Sequence, residues 1–285
     1  MPLAALALVL VAAVMHAGWN LIVKQAKQKQ VFTWWALLVG VICFLPFLII
    51  HPQMPARVWP YVISSAVMEA VYIITLTWAY HIDDFSLVYP IARGTAPALL
   101  AIWAMLFLGE PPRTFGVLGL AVLVLGLIVV GSGPLWSRAK QAAFSAKGIL
   151  VALLTACAIS VYSAIDGAAV KFVSPTPYTV LVLVLTVLLV APVMIWRYGT
   201  GVMVTEWRMN WRRILVVGVL TVLTYMLVLQ AYAIGRVSYA GAIRESSIVF
   251  AAFAGWRWLG EGFGLSRLLG ALLICAGIVM IALLG

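Results

Sequence analysis

The sequence predicts an all-α membrane protein with ten transmembrane helices, arranged as two inverted repeats of five helices. Composition, the length of the apolar stretches and an internal repeat lead to this fold class. Of the 285 residues, 65% are hydrophobic and only 9% are charged, whereas a soluble domain carries about a quarter charged residues. So few charges cannot cover a water-facing surface, which excludes an ordinary soluble enzyme.

Hydropathy divides the chain into ten stretches, each near the ~20 residues that cross the hydrocarbon core as a helix. The first stretch is predicted to be a span and not a signal peptide, since no basic residue precedes it and no cleavage pattern follows. The two longest connections are 132–147 and 198–213. The predicted spans are 3–23, 31–50, 59–80, 87–108, 114–131, 148–171, 177–197, 214–233, 239–259 and 267–284.

Arginine, Gly-Glu and glycine positions recur along the chain at one constant offset. The pairs that lie 151 positions apart are Arg93 and Arg244, Gly109-Glu110 and Gly260-Glu261, Gly119 and Gly270, and Gly126 and Gly277. We therefore predict one five-helix repeat over 1–135 and a second over 146–285. Because five is odd, the second repeat enters the membrane from the opposite side. Inverted repeats are typical of secondary transporters, whose site lies between the repeats near the midplane.

The chain resembles the drug/metabolite transporter superfamily, specifically its ten-helix proteins with two EamA-type repeats. The resemblance rests on Tyr89-Pro90-Ile91-Ala92-Arg93-Gly94 followed by Leu108-Gly109-Glu110, and on Ile243-Arg244-Glu245-Ser246 followed by Leu259-Gly260-Glu261. It implies alternating access, often with proton coupling. It does not identify the substrate, because members move amino acids, other small metabolites, choline-like cations or toxic compounds.

Glu69 is the clearest candidate for function, because an ionisable residue inside a span costs roughly 2.5–3.5 kcal/mol on insertion scales. Ser65 and Tyr72 share its helical face. We expect Glu69 to bind a substrate amine or to carry the coupling proton, the alternative being a hydrogen bond to a neighbouring helix. The aligned part of the eighth span carries Thr221, Thr224 and Tyr225 but no acid.

The first and sixth spans carry a second set of candidates. Asp166 follows Tyr162 by one turn, and His16, Trp19 and Asn20 occupy the corresponding part of the first span. A histidine within a membrane can relay protons or bind substrate. The alternative for these residues is a set of hydrogen bonds between helices.

The two repeated arginines allow two interpretations. Arg93 and Arg244 could recognise a substrate carboxylate through their guanidinium groups, or could pair structurally with an acid such as Glu245. Glu110 and Glu261 lie at span ends beside glycines, and we expect them to make helix-end interactions.

The net charge of +10 would suggest nucleic acid in a soluble protein, but here the basic residues mostly lie between spans, where they meet anionic lipid headgroups. The positive-inside rule places the odd-numbered connections in the cytoplasm and both termini outside, whereas the family resemblance implies cytoplasmic termini. The basic residues of the odd-numbered connections are Lys24, Lys27, Lys29, Arg138, Lys140, Lys147, Arg197, Arg208, Arg212, Arg213, Arg257 and Arg267, against Arg57, Arg113, Lys171 and Arg236 in the even-numbered ones.

We therefore expect a secondary transporter of the bacterial inner membrane, exporting small metabolites such as amino acids. An importer of a small cationic or zwitterionic metabolite is the first alternative, and a membrane-embedded lipid-modifying enzyme is the second. The expected partners are a small-molecule substrate, lipid and coupling protons, with no nucleic acid, cofactor or metal, in a monomer or homodimer. No phosphate-binding loop, H-E-x-x-H or G-x-S-x-G motif occurs, which argues against direct ATP use and the commonest hydrolase chemistries.

Overall fold

A computed structural model shows helices throughout the part of the chain that it describes, which comprises residues 1–50, 54–82, 85–111, 113–137, 146–259 and 265–284. A short 3₁₀ turn, Ala56–Val58, precedes the fourth helix. The helices are α1 (Leu3–Lys24), α2 (Lys29–Phe44), α3 (Pro46–Ile50), α4 (Trp59–Ile82), α5 (Phe85–Phe107), α6 (Thr114–Ser137), α7 (Ala146–Ala169), α8 (Pro175–Ile234), α9 (Val237–Arg244), α10 (Ser247–Leu259) and α11 (Leu265–Leu284).

The helices present apolar side chains outward as well as inward. Within the described ranges, four helical stretches are long and apolar enough to cross a membrane: Leu3–Lys24, Ala56–Leu76, Lys147–Ala169 and Pro175–Ile234. Large apolar side chains such as Trp196 and Leu283 are exposed by 84% and 77%. In water such an apolar surface would promote aggregation, whereas in a bilayer it faces the lipid. The molecule is a multi-pass membrane protein.

Helix α8 consists of two helical limbs that meet at Gly199, and these limbs contain the spans predicted at 177–197 and 214–233 and most of the predicted connection between them. Its 60 residues are interrupted only at Gly199, whose φ of 71° and ψ of 156° lie outside the helical region. Tyr178 and Tyr225 bond to the same carboxylate although 47 positions separate them, which would be about 70 Å along a straight helix. The helix therefore turns back at Gly199, and glycine is the residue that adopts a positive φ without strain.

Two predicted spans are interrupted. The span predicted at 31–50 is divided at Leu45, because Pro46 has no N–H to continue the ladder of the preceding helix. The span predicted at 239–259 is divided at 245–246, where the amides of Glu245 and Ser246 bond three residues back, to Ala242 and Ile243. The predicted connection 132–147 begins inside α6, which extends to Ser137, and 138–145 lies outside the described residues.

Helices α6 and α11 pack closely through the glycines that mark the sequence repeat. A Cβ atom on Gly277 would lie 2.6 Å from the carbonyl oxygen of Gly119, and one on Gly126 would lie 2.8 Å from that of Gly270. Each glycine on α6 therefore meets the glycine on α11 that is equivalent, in the repeat, to the other glycine of α6. This reciprocal pairing makes the two helices antiparallel, and the absence of side chains lets their backbones touch.

Segments of the two halves meet at one end of the bundle. The Glu110 carboxylate accepts hydrogen bonds from the amides of Val237 and Ser238 at the start of α9, and from the Ser238 hydroxyl. The Arg236 guanidinium donates to the Pro111 carbonyl at 2.9 Å. Glu110 thus makes the helix-end interaction predicted from the sequence, while its counterpart Glu261 lies outside the described residues.

Candidate functional site

Polar side chains are buried where helices of the two halves face one another. Since water and headgroups cannot reach them, each needs a partner inside the protein. They form two groups, which we name the acidic cluster and the arginine cluster. The acidic cluster comprises Glu69, Asp166, Tyr178, Thr186 and Tyr225, and the arginine cluster comprises His16, Arg93, Arg244 and Glu245.

Asp166 is fully buried on α7 and is held by two tyrosines of α8. The Tyr178 hydroxyl donates to Oδ1 at 2.7 Å, and the Tyr225 hydroxyl donates to Oδ2. The two tyrosines come from opposite limbs of α8, so the turn at Gly199 is what lets one carboxylate bind both. The predicted candidates Asp166 and Tyr225 are therefore in direct contact.

Glu69 of α4 is the second carboxylate of the acidic cluster, and 9% of it is exposed. The Thr186 hydroxyl of α8 donates to its Oε2 at 2.7 Å, and 117 positions of the chain separate the two residues. Thr186 also donates to the Val182 carbonyl of its own helix at 3.0 Å. Glu69 therefore makes a hydrogen bond to a neighbouring helix, which was the alternative that the sequence analysis gave for this residue.

Aromatic rings join these residues into one surface. The ring of Tyr162 lies 6.1 Å from that of Tyr72 and 6.4 Å from that of Tyr225. These separations lie within the range of favourable ring contacts. The predicted candidates Tyr72, Tyr162 and Tyr225 therefore line the same region as Asp166.

The arginine cluster centres on the carboxylate of Glu245, at the break between α9 and α10. Arg93 Nη1 lies 3.1 Å from both carboxylate oxygens, and Arg244 Nε and Nη2 lie 3.3 and 3.2 Å from Oε1. The two arginines that the repeat places at equivalent positions thus share one acid. This is the structural pairing that the sequence offered as one of two interpretations for them.

His16 connects the arginine cluster to α1. Its Nε2 lies 3.2 Å from Arg93 Nη2, and its ring lies edge-on to Trp19 at 4.6 Å. The buried Nε1 of Trp19 has no hydrogen-bond partner among the described residues. Asn20 is different, because its amide donates to the His16 carbonyl of the same helix at 2.8 Å. The structure therefore brings His16 and Trp19 to the cluster and places the Asn20 amide on its own backbone.

A narrow cleft borders the arginine cluster and reaches α7. Ser163 lines this cleft and lies one helical turn before Asp166, so α7 borders both clusters. The lining residues are Ala96, Pro97, Leu100, Ile159, Ser160, Ser163, Gly241, Arg244 and Glu245. Residues of both halves therefore line the cleft.

Sequence reasoning missed Tyr178, Thr186 and Ser163. Ser163 and Thr186 stand in largely apolar stretches, where such hydroxyls commonly bond to the backbone of their own helix, and Tyr178 lies in the first turn of α8. A usable signal was present for Tyr178, because it lies twelve positions after Asp166 in the next helix of the chain.

Comparison with known proteins identifies the family. The family model described as "EamA-like transporter family" matches residues 3–132 and again 146–283, which together make up most of the chain. The chain belongs to the EamA-like transporter family. Each matched segment contains one of the repeated arginines and one of the repeated Gly-Glu pairs.

Solved structures share the fold of this EamA-like protein. One, titled only "Crystal structure of protein", superposes with a TM-score of 0.78 and 17% sequence identity, covering 99% of each chain. At that identity the likeness concerns the fold alone. No curated protein matches the sequence significantly.

Proposed function

We propose that this EamA-like transporter is a secondary exporter of small metabolites such as amino acids. It works by alternating access between two inverted five-helix repeats, which together span the membrane ten times. Its substrate binds between the repeats, and Glu69 carries the coupling proton. The observation that carries the proposal is the burial of an acidic and a basic cluster that both adjoin α7, at the contact between the halves.

The chemistry of the two clusters fits a small zwitterion. The carboxylates of Glu69 and Asp166 suit an ammonium group, and the guanidinium groups of Arg93 and Arg244 suit a carboxylate. The tyrosine rings beside Asp166 add apolar surface for the rest of the molecule. Buried ionisable groups of this kind in spanning helices mark substrate and proton pathways in membrane proteins.

The reciprocal glycine contacts between α6 and α11 support the inverted arrangement. When two copies of a unit are related by an axis in the membrane plane, the first glycine of one copy contacts the second glycine of the other. Gly119 contacts Gly277 and Gly126 contacts Gly270 in this way. Such halves can exchange conformations, which closes one side of a central site and opens the other.

The hydrogen bonds at one end of the bundle support a cycle in which that end opens and closes. Glu110 and Pro111 of the first half bond to residues 236–238 of the second, so the two halves are joined there. These bonds must break when the site opens to that side.

The direct test is uptake into proteoliposomes that contain the purified full chain. A panel of amino acids, cationic metabolites and phosphorylated compounds is supplied with and without a pH gradient. We expect the gradient to stimulate uptake of at least one zwitterionic compound. The proposal would be contradicted if, with and without the gradient, no compound of the panel entered the proteoliposomes faster than it entered liposomes without protein.

Glu69→Gln tests the coupling role. The substitution keeps the shape and the hydrogen-bonding capacity of the side chain but removes the titrating group, so we expect loss of gradient-driven uptake with normal expression. Glu206→Gln is the matched control, since Glu206 is also buried but bonds to Asn210 of its own helix at 2.7 Å. Unchanged proton-dependent uptake in Glu69→Gln would remove Glu69 from the mechanism.

A further inference from the structure

The arginine cluster contains two guanidinium groups and one carboxylate. Arg93 and Arg244 are both largely buried, with side-chain exposures of 14% and 9%, and Glu245 is exposed by 1%. The other two buried acids nearby, Asp166 and Glu69, bond to hydroxyl groups of tyrosine and threonine in the described part of the chain. Among the described residues, Glu245 forms salt bridges with both guanidinium groups, at a depth where a broken ion pair is costly.

The repeat supplies the arginine twice and the carboxylate once. The position 151 residues before Glu245 is occupied by Gly94, whereas the same offset relates Arg244 to Arg93. Glu245 thus serves both guanidinium groups in the described part of the chain, and the first half has glycine where the second has this acid.

The hydrogen-bond geometry leaves both arginines only partly engaged by Glu245. Arg93 uses one nitrogen, Nη1, for both oxygens, and Arg244 directs two nitrogens to one oxygen. Neither forms with Glu245 the pair of parallel N–H···O bonds that makes arginine–carboxylate recognition strong. A second oxyanion could form such a pair.

Hydroxyl groups that lack a well-formed hydrogen bond border the same place. The oxygens of Ser163, Tyr232 and Ser246 are buried and make no hydrogen bond of normal geometry with the residues that the structure describes. Ser163 lines the cleft beside Arg244 and Glu245, and Ser246 follows Glu245 in the chain. Buried polar groups are ordinarily satisfied, and a polar ligand bound beside Arg244 would lie next to the Ser163 hydroxyl.

Glu245 lies where the helical backbone is interrupted. It lies between α9 and α10, where the hydrogen bonds run three residues back instead of four. Short 3₁₀ interruptions within a helix often mark hinges, and interrupted helices form the sites of many transporters. A small rotation there would withdraw the carboxylate from the arginines.

From these observations we infer that the arginine cluster is the subsite for an oxyanion group of the substrate, carboxylate or phosphoryl, and that Glu245 occupies it as a tethered carboxylate when the transporter is empty. Substrate binding displaces Glu245 from at least one guanidinium. This assignment rests on the proposed transport function and specifies it, since it requires an acidic group on the transported molecule.

The test replaces the tethered carboxylate by a free one. Glu245→Gly, the residue found at the equivalent position of the first half, leaves both arginines without their acid, and we expect the melting temperature of the purified full chain in detergent to fall. Sodium acetate should raise it back toward the wild-type value, while acetamide, which has the same shape and no charge, should not. Inorganic phosphate in a parallel series distinguishes a phosphoryl from a carboxylate preference.

Two further variants make the result decisive. The double variant Arg244→Gln, Glu245→Gly should lose the rescue by acetate, because the cation that binds it is gone. Glu245→Gln keeps the side-chain volume, so it replaces the glycine variant in this test if that variant does not fold. Acetate or phosphate should raise the melting temperature of Glu245→Gln more than that of the wild type.

The inference is overturned if acetate and phosphate shift the melting temperature of both single variants no more than sodium chloride at equal ionic strength does. Because this readout is binding and not transport, it separates the two proposals. Rescue without any uptake in proteoliposomes contradicts the transport function alone. Uptake without rescue contradicts the tethered carboxylate alone.

Discussion

Asp166 shows how the protein keeps an ionisable side chain inside an apolar bundle. Two phenol hydroxyls, from Tyr178 and Tyr225, meet its two oxygens, so neither oxygen is left without a donor. A buried acceptor that loses its donor costs the full desolvation of the group. The tyrosines therefore make it possible for a carboxylate to stand inside α7.

Tyr178→Phe removes one of these donors and leaves the ring. We expect the free energy of unfolding to fall by about 1–3 kcal/mol, the usual cost of an unsatisfied buried polar group, and the thermal unfolding temperature in detergent to fall accordingly. Tyr61→Phe is the control, because the Tyr61 ring packs on Phe172 at 5.3 Å, outside the acidic cluster. Equal melting temperatures for the two variants would show that the Tyr178 hydroxyl does not stabilise Asp166.

Sequence reasoning singled out most of the ionisable residues of the two clusters, because such residues stand out in apolar spans. Glu69, Asp166, Arg93 and Arg244 are conspicuous for this reason, and the structure places all four between the halves. Their partners could not be assigned in the same way. A threonine such as Thr186 has the same appearance in the sequence whether its hydroxyl bonds to its own backbone or, as here, also to a carboxylate of another helix.

At the scale of the elements, close contact between α6 and α11 depends on the absence of side chains. A Cβ atom on Gly277 would lie within 2.7 Å of both the Gly119 carbonyl oxygen and the Cβ atom of Leu123. These distances are far below van der Waals contact, so even alanine would force the two backbones apart.

Gly277→Ala should therefore destabilise the protein by about 1–3 kcal/mol, as overpacking of a core does. Gly201→Ala is the matched control, because a Cβ atom there meets nothing within 4 Å and alanine is the better helix former by about 0.5–1 kcal/mol. Chemical or thermal unfolding of the two variants in the same detergent gives the comparison. A Gly277→Ala protein as stable as the control would show that the helices do not need this contact.

The start of α9 depends on an acid from another helix end. Its first amides have no partner within the helix, and Glu110 accepts those of Val237 and Ser238. Since the short helix carries Arg244 at its other end, Glu110 helps to position the arginine cluster as well as to join the halves.

Glu110→Ala should lower the free energy of unfolding by about 0.5–2 kcal/mol, the range measured for lost helix caps. Glu206→Gln is the control, because it keeps the volume of a buried side chain and an oxygen that can accept a hydrogen bond from Asn210 four residues on in the same helix. Thermal unfolding should therefore rank Glu110→Ala below Glu206→Gln. The reverse order would contradict the capping role.

Hydropathy predicted where most helices lie but not where they are interrupted. The segment 198–213 contains three arginines and two tryptophans, so its polarity indicated a loop. Helical hydrogen bonding nevertheless continues through it apart from Gly199. The break at 245–246 was equally hidden, because hydrophobicity reports contact with lipid and not the hydrogen bonds of the backbone.

At the scale of the whole molecule, the two halves differ where chemistry is expected and agree where architecture is expected. The repeated glycines pack α6 against α11, and the repeated arginines share one acid. The acids of the two clusters are not repeated, although Glu110 and Glu261 are. Family membership follows from the repeat, and we expect substrate selection to follow from the residues that break it. Glu69, Asp166 and Glu245 have no acidic counterpart at the aligned positions Thr221, Asn20 and Gly94.

We propose that the cleft between the halves is reached from each side of the membrane in turn. The three native cysteines are first replaced by serine, and Ser163→Cys then places a thiol in the cleft. Arg57→Cys is the control, because Arg57 is exposed in the turn that precedes α4. A membrane-impermeant thiol reagent is applied to right-side-out and to inside-out vesicles. We predict that Ser163→Cys is labelled from both sides and Arg57→Cys from one. Labelling of Ser163→Cys from one side only, or from neither, would contradict the account.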